Sequence, residues 1–61
     1  MVEEQKRILE LLASGKSNGE IAEILNYSKR TVERRVNELF KRYKVNSRLE
    51  LAMEYQAELL K

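Results

Sequence analysis

No proline interrupts these 61 residues, and only two glycines do. A backbone without proline keeps every amide donor, and one nearly without glycine lacks the punctuation that a succession of strands and tight hairpins needs. Apolar residues recur mostly three and four positions apart, the spacing of one helix face. The chain is therefore expected to be all-α. Ile8, Leu9, Leu11 and Leu12 mark a first helix from about Glu3 to Ala13, with Gly15 placed as a left-handed terminator. In 17-SNGE-20, Ser17 and Glu20 have the spacing of a capping box and open a short second helix that would bury Ile21, Ala22, Ile24 and Leu25. Asn26 suits a left-handed connection, and Tyr27 is expected to tuck its ring inward. Ser28 caps a third helix running to about Tyr43, and a second capping box, 47-SRLE-50, opens a fourth that ends near Leu60.

A chain of this length makes one small domain, taken as residues 1–61, whose modest core must be stabilised by packing alone. It has no cysteine and no histidine, which removes disulfides, thiolate chemistry and the usual zinc ligand sets. No convergent acid–base pair stands out either, so the chain is read as a non-enzyme that needs no cofactor or metal. No apolar run approaches the ~20 residues of a membrane span. The amino terminus opens with Glu3 and Glu4 rather than a basic stretch followed by an apolar one, so the expected setting is soluble and cytoplasmic, with no membrane partner.

The net charge of +2 conceals a sharp division along the chain. Residues 1–25 carry three basic and five acidic side chains, residues 26–48 carry eight and two, and residues 49–61 carry one and three. The middle segment is thus net +6, the kind of footprint that a polyanion would meet. A solvated helix face explains a charge run equally well. The phase of the third helix adds information, because at 100° per residue Val32, Val36, Leu39, Phe40 and Tyr43 fall on one side. Arg30, Glu33, Arg34, Asn37, Lys41 and Lys44 fall on the other. A short helix, a tight turn and a longer basic helix is the layout of a helix-turn-helix, with small Ala22 where the two helices would cross and Val32 packing over it.

The words 17-SNGEIAEIL-25, 28-SKRTV-32 and 45-VNSRLE-50 share one register without a gap. With them the chain resembles, over essentially its whole length, the LuxR/NarL-type (GerE-type) DNA-binding domain of bacterial transcription regulators. The resemblance implies a four-helix, helix-turn-helix domain with the third helix as recognition helix and the fourth as dimerisation helix. It further implies double-stranded DNA and a second copy of the chain as partners, and a role as effector domain of a transcription regulator, response regulators included. RNA polymerase becomes a candidate partner on the same ground. The chain departs from the family in places. Val2, Glu4 and Gln5 stand where a threonine and an arginine–glutamate pair usually open the first helix. Lys44 replaces a common glycine, at a cost of ~1 kcal/mol if the left-handed conformation is kept. Glu33 stands where a basic residue is frequent.

Carried over position by position, the resemblance makes Glu33, Arg34 and Asn37 the base-edge readers. Their chemistry agrees: Arg34 suits guanine O6 and N7, Asn37 suits adenine N6 and N7, and Glu33 can accept from cytosine N4. The plainer role for Glu33 is as a partner of Lys29, Arg30 or Asn37 within the helix. Arg30, Thr31, Arg35, Lys41 and Lys44 form the expected phosphate set, joined by Asn18 at the start of the second helix, where free amides favour an anion. Simple solvation for the lysines and a helix-start hydrogen bond for Thr31 are the alternatives. Arg48 could reach phosphate or bond the carbonyl end of the third helix, and the structural role is preferred. Tyr27, Phe40 and Tyr43 are read as core rather than stacking platforms.

On the fourth helix Leu51, Ala52, Tyr55 and Leu59 cluster within about 60° of a common direction and should pack on the domain. Leu49, Met53, Ala57 and Leu60 form a second apolar stripe, the expected dimer interface. Two other readings compete with a DNA-binding regulator: a sigma-factor region of similar design, which the VNSRLE word disfavours, and a helical protein–protein module whose basic face meets an acidic partner.

Overall fold

A computed structural model describes residues 3–60. Met1, Val2 and Lys61 lie outside the described residues, and with them the departure expected at Val2. Four helices follow one another, α1 (Glu3–Ala13), α2 (Asn18–Leu25), α3 (Lys29–Tyr43) and α4 (Arg48–Leu59), with no strand among the described residues. The domain is all-α, as the apolar spacing requires.

Three of the helices begin at a serine that accepts from the amide three residues on. At α2 the box is reciprocal, since the Glu20 amide donates to Ser17 Oγ at 3.2 Å and the Ser17 amide donates to Glu20 Oε1 at 2.9 Å. That second bond is the main reason the Glu20 carboxyl lies below its ordinary pKa. The expected box at α4 is only half made. The Glu50 amide does donate to Ser47 Oγ at 3.2 Å, but the Glu50 carboxylate faces the Ser47 hydroxyl at 3.5 Å instead of its amide.

The helix ends repeat one device in three chemistries. Lys16, Tyr27 and Val45 each donate an amide five residues back, to Leu11, Ala22 and Phe40, at 3.1, 2.9 and 3.1 Å. This closure needs a left-handed residue just before the donor, and Gly15, Asn26 and Lys44 supply it with φ of 94°, 60° and 57°. Glycine takes that conformation freely, asparagine readily, and lysine only at a cost of about 1 kcal/mol. The left-handed turn is therefore kept at Lys44 without the glycine that would ease it.

Ile8, Leu9 and Leu12 of α1, Ile21 and Ala22 of α2, Val32, Val36 and Leu39 of α3, and Leu51 and Tyr55 of α4 form one buried cluster. Helix α1 packs chiefly on α4, and α2 chiefly on α3. Each buried Leu or Ile contributes on the order of 1.5–3 kcal/mol by leaving water. Tyr27, Phe40 and Tyr43 pack half-buried against this cluster, as expected. Two residues assigned to the core are not in it. Ile24 is exposed, because it lies about 110° around α2 from the centre of Ile21, Ala22 and Leu25. Leu59 has the right phase but is 60% exposed. It is the last residue of α4 and borders an open depression with Lys6, Glu10, Ala13, Ser14 and Tyr55, with no further turn of helix to close over it.

Candidate nucleic-acid interface

The buried stripe of Val32, Val36 and Leu39 anchors α3 and sets which side of it meets water. Lys29, Arg30, Glu33, Arg34, Asn37, Lys41 and Lys44 are all exposed. The five cations among them run the length of the helix. Arg30, Glu33, Arg34, Asn37 and Lys41 border one open depression, and Asn37, Lys41 and Lys44 border a second beside it, so the expected base readers and three expected phosphate ligands share one continuous surface. None of Glu33, Arg34 or Asn37 is tied up in an ion pair or side-chain hydrogen bond among the described residues. The intrahelical partnership considered for Glu33 is accordingly not formed.

Thr31 is half-buried and belongs to the cap. Its amide donates to Ser28 Oγ at 3.1 Å, and the Ser28 hydroxyl donates to Thr31 Oγ1 at 2.9 Å. The Thr31 hydroxyl hydrogen is left over for another acceptor. Asn18 opens α2 on the same side of the molecule, where it borders a recess with Glu33, Asn37, Phe40 and Arg48. Its side-chain oxygen accepts from Arg48 Nη1 at 2.6 Å, and Arg48 Nη2 reaches the Lys16 carbonyl at 2.5 Å. Arg48 is thus structural, but it ties the start of α4 to the α1–α2 connection and not to the carbonyl end of α3.

Arg35 stands apart from the other expected phosphate ligands. It lies on the flank of α3 that faces α1, its Nε 3.2 Å from Glu4 Oε1 and its Nη1 4.0 Å from Glu38 Oε1. The Tyr27 hydroxyl donates to the other oxygen of Glu4. That bond, more than burial, raises the Tyr27 pKa above its ordinary value. Further along the same flank Arg42 Nη1 donates to Gln5 Oε1 at 3.3 Å. Neither connection is legible in the sequence. The partners are 31 and 37 positions apart, beyond the reach of any local spacing rule.

Helix α4 presents the opposite kind of surface. Leu49 is 71% exposed, Met53 60% and Leu60 87%, with Ala57 exposed between them. The stripe assigned to dimerisation is therefore in water in the single chain.

A short helix and a longer cationic helix joined through a left-handed asparagine, with Ala22 and Val32 buried at their crossing, define a helix-turn-helix domain. Residues 3–55 match the family described as GerE, bacterial regulatory proteins, luxR family, and the chain belongs to that family. This agrees with the resemblance carried by the three sequence words, and the family is one of non-enzymatic transcription regulators that bind DNA. The chain is also 43% identical over 49 residues, 80% of its length, to the "Putative HTH-type transcriptional regulator YhjB" of Escherichia coli (strain K12). It spans only 24% of that relative. No solved structure matches the chain. Among the described residues no helix is long and apolar enough to cross a membrane.

Proposed function

We propose that the domain binds double-stranded DNA sequence-specifically, with α3 in the major groove. The observation that carries this reading is the exposed cationic stripe of α3, held outward by a fully buried apolar stripe on the same helix. Arg34, Asn37 and Glu33 read base edges. Arg30, Lys41 and Lys44 meet phosphates, with the Thr31 hydroxyl and the Asn18 side chain or amide contributing from the two helix starts. Two copies associate through Leu49, Met53, Ala57 and Leu60 of α4, weakly in free solution and more firmly when two α3 helices occupy half-sites about one helical turn apart. Such a domain acts as the effector part of a cytoplasmic transcription regulator, of the response-regulator kind where a receiver domain controls it, and works alongside RNA polymerase.

Titration of a random-sequence duplex with the domain at several salt concentrations tests the reading. If about five phosphates are neutralised per domain, the logarithm of affinity falls against the logarithm of salt with a slope of roughly −4 to −5. A salt-independent affinity, or no binding to duplex DNA, would favour a protein-binding adaptor instead.

A further inference from the structure

We propose that Glu4, Tyr27 and Arg35 form a lock that sets how the recognition helix is carried on α1, and that Arg35 is a positioning residue and not a phosphate ligand. The inference rests on the DNA-binding reading above. Three elements meet at one carboxylate: α1 through Glu4 itself, the α2–α3 connection through the Tyr27 hydroxyl, and the middle of α3 through Arg35 Nε. Both oxygens of Glu4 are occupied, one by each partner. Arg35 Nε is sealed from water yet makes no hydrogen bond, so the charge of Glu4 at 3.2 Å is what compensates it there, while the side chain as a whole is 36% exposed. A guanidinium held beside a carboxylate in that setting has part of its charge offset, and its reach restricted, before any DNA arrives. Glu38, on the next turn, adds a second negative charge on its outer side.

The position of the lock matters because α1 and α3 share little direct packing, whereas each is tightly packed on another helix. The shared core and the packing of both helices on α2 and α4 set the orientation of α3 relative to α1 coarsely, and the polar links that cross directly between them, namely Glu4–Arg35 and, two turns further on, Gln5–Arg42, refine it. Tyr27 extends the link to the turn from which α3 starts. A small rotation of α3 moves every base-reading side chain at once, so the lock should act on discrimination between sequences rather than on attraction to the backbone.

The test measures affinity against salt on two duplexes of equal length, one enriched from a random pool by the wild-type domain and one of random sequence. The variants are Glu4→Gln, Tyr27→Phe, Arg35→Met and the charge exchange E4R/R35E. We expect the three single variants to reduce the ratio of enriched to random affinity, by about three- to tenfold for Glu4→Gln and Arg35→Met and less for Tyr27→Phe. The salt slope on random duplex should stay at the wild-type value in all three, and the exchange should recover part of the lost ratio. The slope is insensitive to a reduced folded fraction that does not itself vary with salt, and Tyr27→Phe removes a single hydroxyl, so unfolding does not obscure the result. If Arg35→Met lowers the slope by about 0.9 and weakens both duplexes alike, Arg35 is a phosphate ligand and the proposal is overturned. Unchanged ratios in all three variants would overturn it as well. A wild-type domain with no salt-dependent duplex binding would instead defeat the DNA-binding reading, a separate outcome.

Discussion

Helices α3 and α4 are anchored in the same core yet turn opposite chemistry toward water. The outer face of α3 carries five exposed cations, whereas the outer face of α4 carries Leu49, Met53, Ala57 and Leu60. A cationic stripe gains by exchanging counterions for a polyanion, an effect that acts over a Debye length and tolerates water at the contact. An apolar stripe gains only when another surface excludes water from it, which demands close fit. The same anchoring thus exposes two surfaces of opposite chemistry, and the difference lies in what each helix leaves uncovered.

The two helices are equal partners in one core. Leu39 of α3 and Leu51 of α4 are both fully buried, so Leu39→Ala and Leu51→Ala should each cost about 2–5 kcal/mol in denaturant unfolding. A much smaller loss at Leu51 would mean that α4 is held loosely and that its exposed stripe is poorly defined. The cationic face is sharpened by separating its own members. Arg34→Ala should cost ~1–3 kcal/mol on the preferred duplex and relax preference at one base pair, while Lys41→Ala should weaken all duplexes alike, as read in competition titrations. Equal losses on preferred and random DNA for both would place Arg34 on the backbone.

The apolar face is tested by Met53→Glu, which puts a charge at the centre of a stripe that would meet its own symmetry mate. Binding to a palindromic site should weaken by about tenfold, or ~1.4 kcal/mol, with affinity for an isolated half-site unchanged. Unaltered cooperativity on the palindrome would remove α4 from the interface. The smallest effect concerns the junction between the two helices. Lys44→Gly should raise unfolding stability by about 1 kcal/mol by relieving the left-handed lysine, while lowering the salt slope of duplex binding by about 0.9. Stabilisation without a change in slope would show that Lys44 ends the helix but touches no phosphate.

Between them α3 and α4 also show how far local reasoning reaches. The start of every helix from α2 onward was readable as a serine three residues before a satisfied amide, and the ends of α1 and α2 as Gly15 and Asn26. The two stripes of α3 followed from phase alone, because one side of an isolated helix is continuously apolar. Phase was not enough at Leu59, whose direction is correct but which ends α4 beside an open depression and stays exposed. It also misled at the α4 start, where the residue types of a capping box are present and the Glu50 side chain takes the Ser47 hydroxyl instead of the amide.

What the sequence by itself determined is therefore the set of helices, their caps, and the sign and polarity of each exposed face. These depend on interactions within one or two turns, where covalent geometry fixes which groups can meet. Only the tertiary structure decided which cations remain free. Arg35, Arg42 and Arg48 are as basic as their neighbours, but Glu4, Gln5, and Asn18 with the Lys16 carbonyl claim them from 30 to 37 positions away. Those bonds exist because helix packing brings distant turns into register. Arg30, Arg34, Lys41 and Lys44 have no such neighbour on the outer side of α3, so their charges remain directed at solvent and at whatever polyanion enters it.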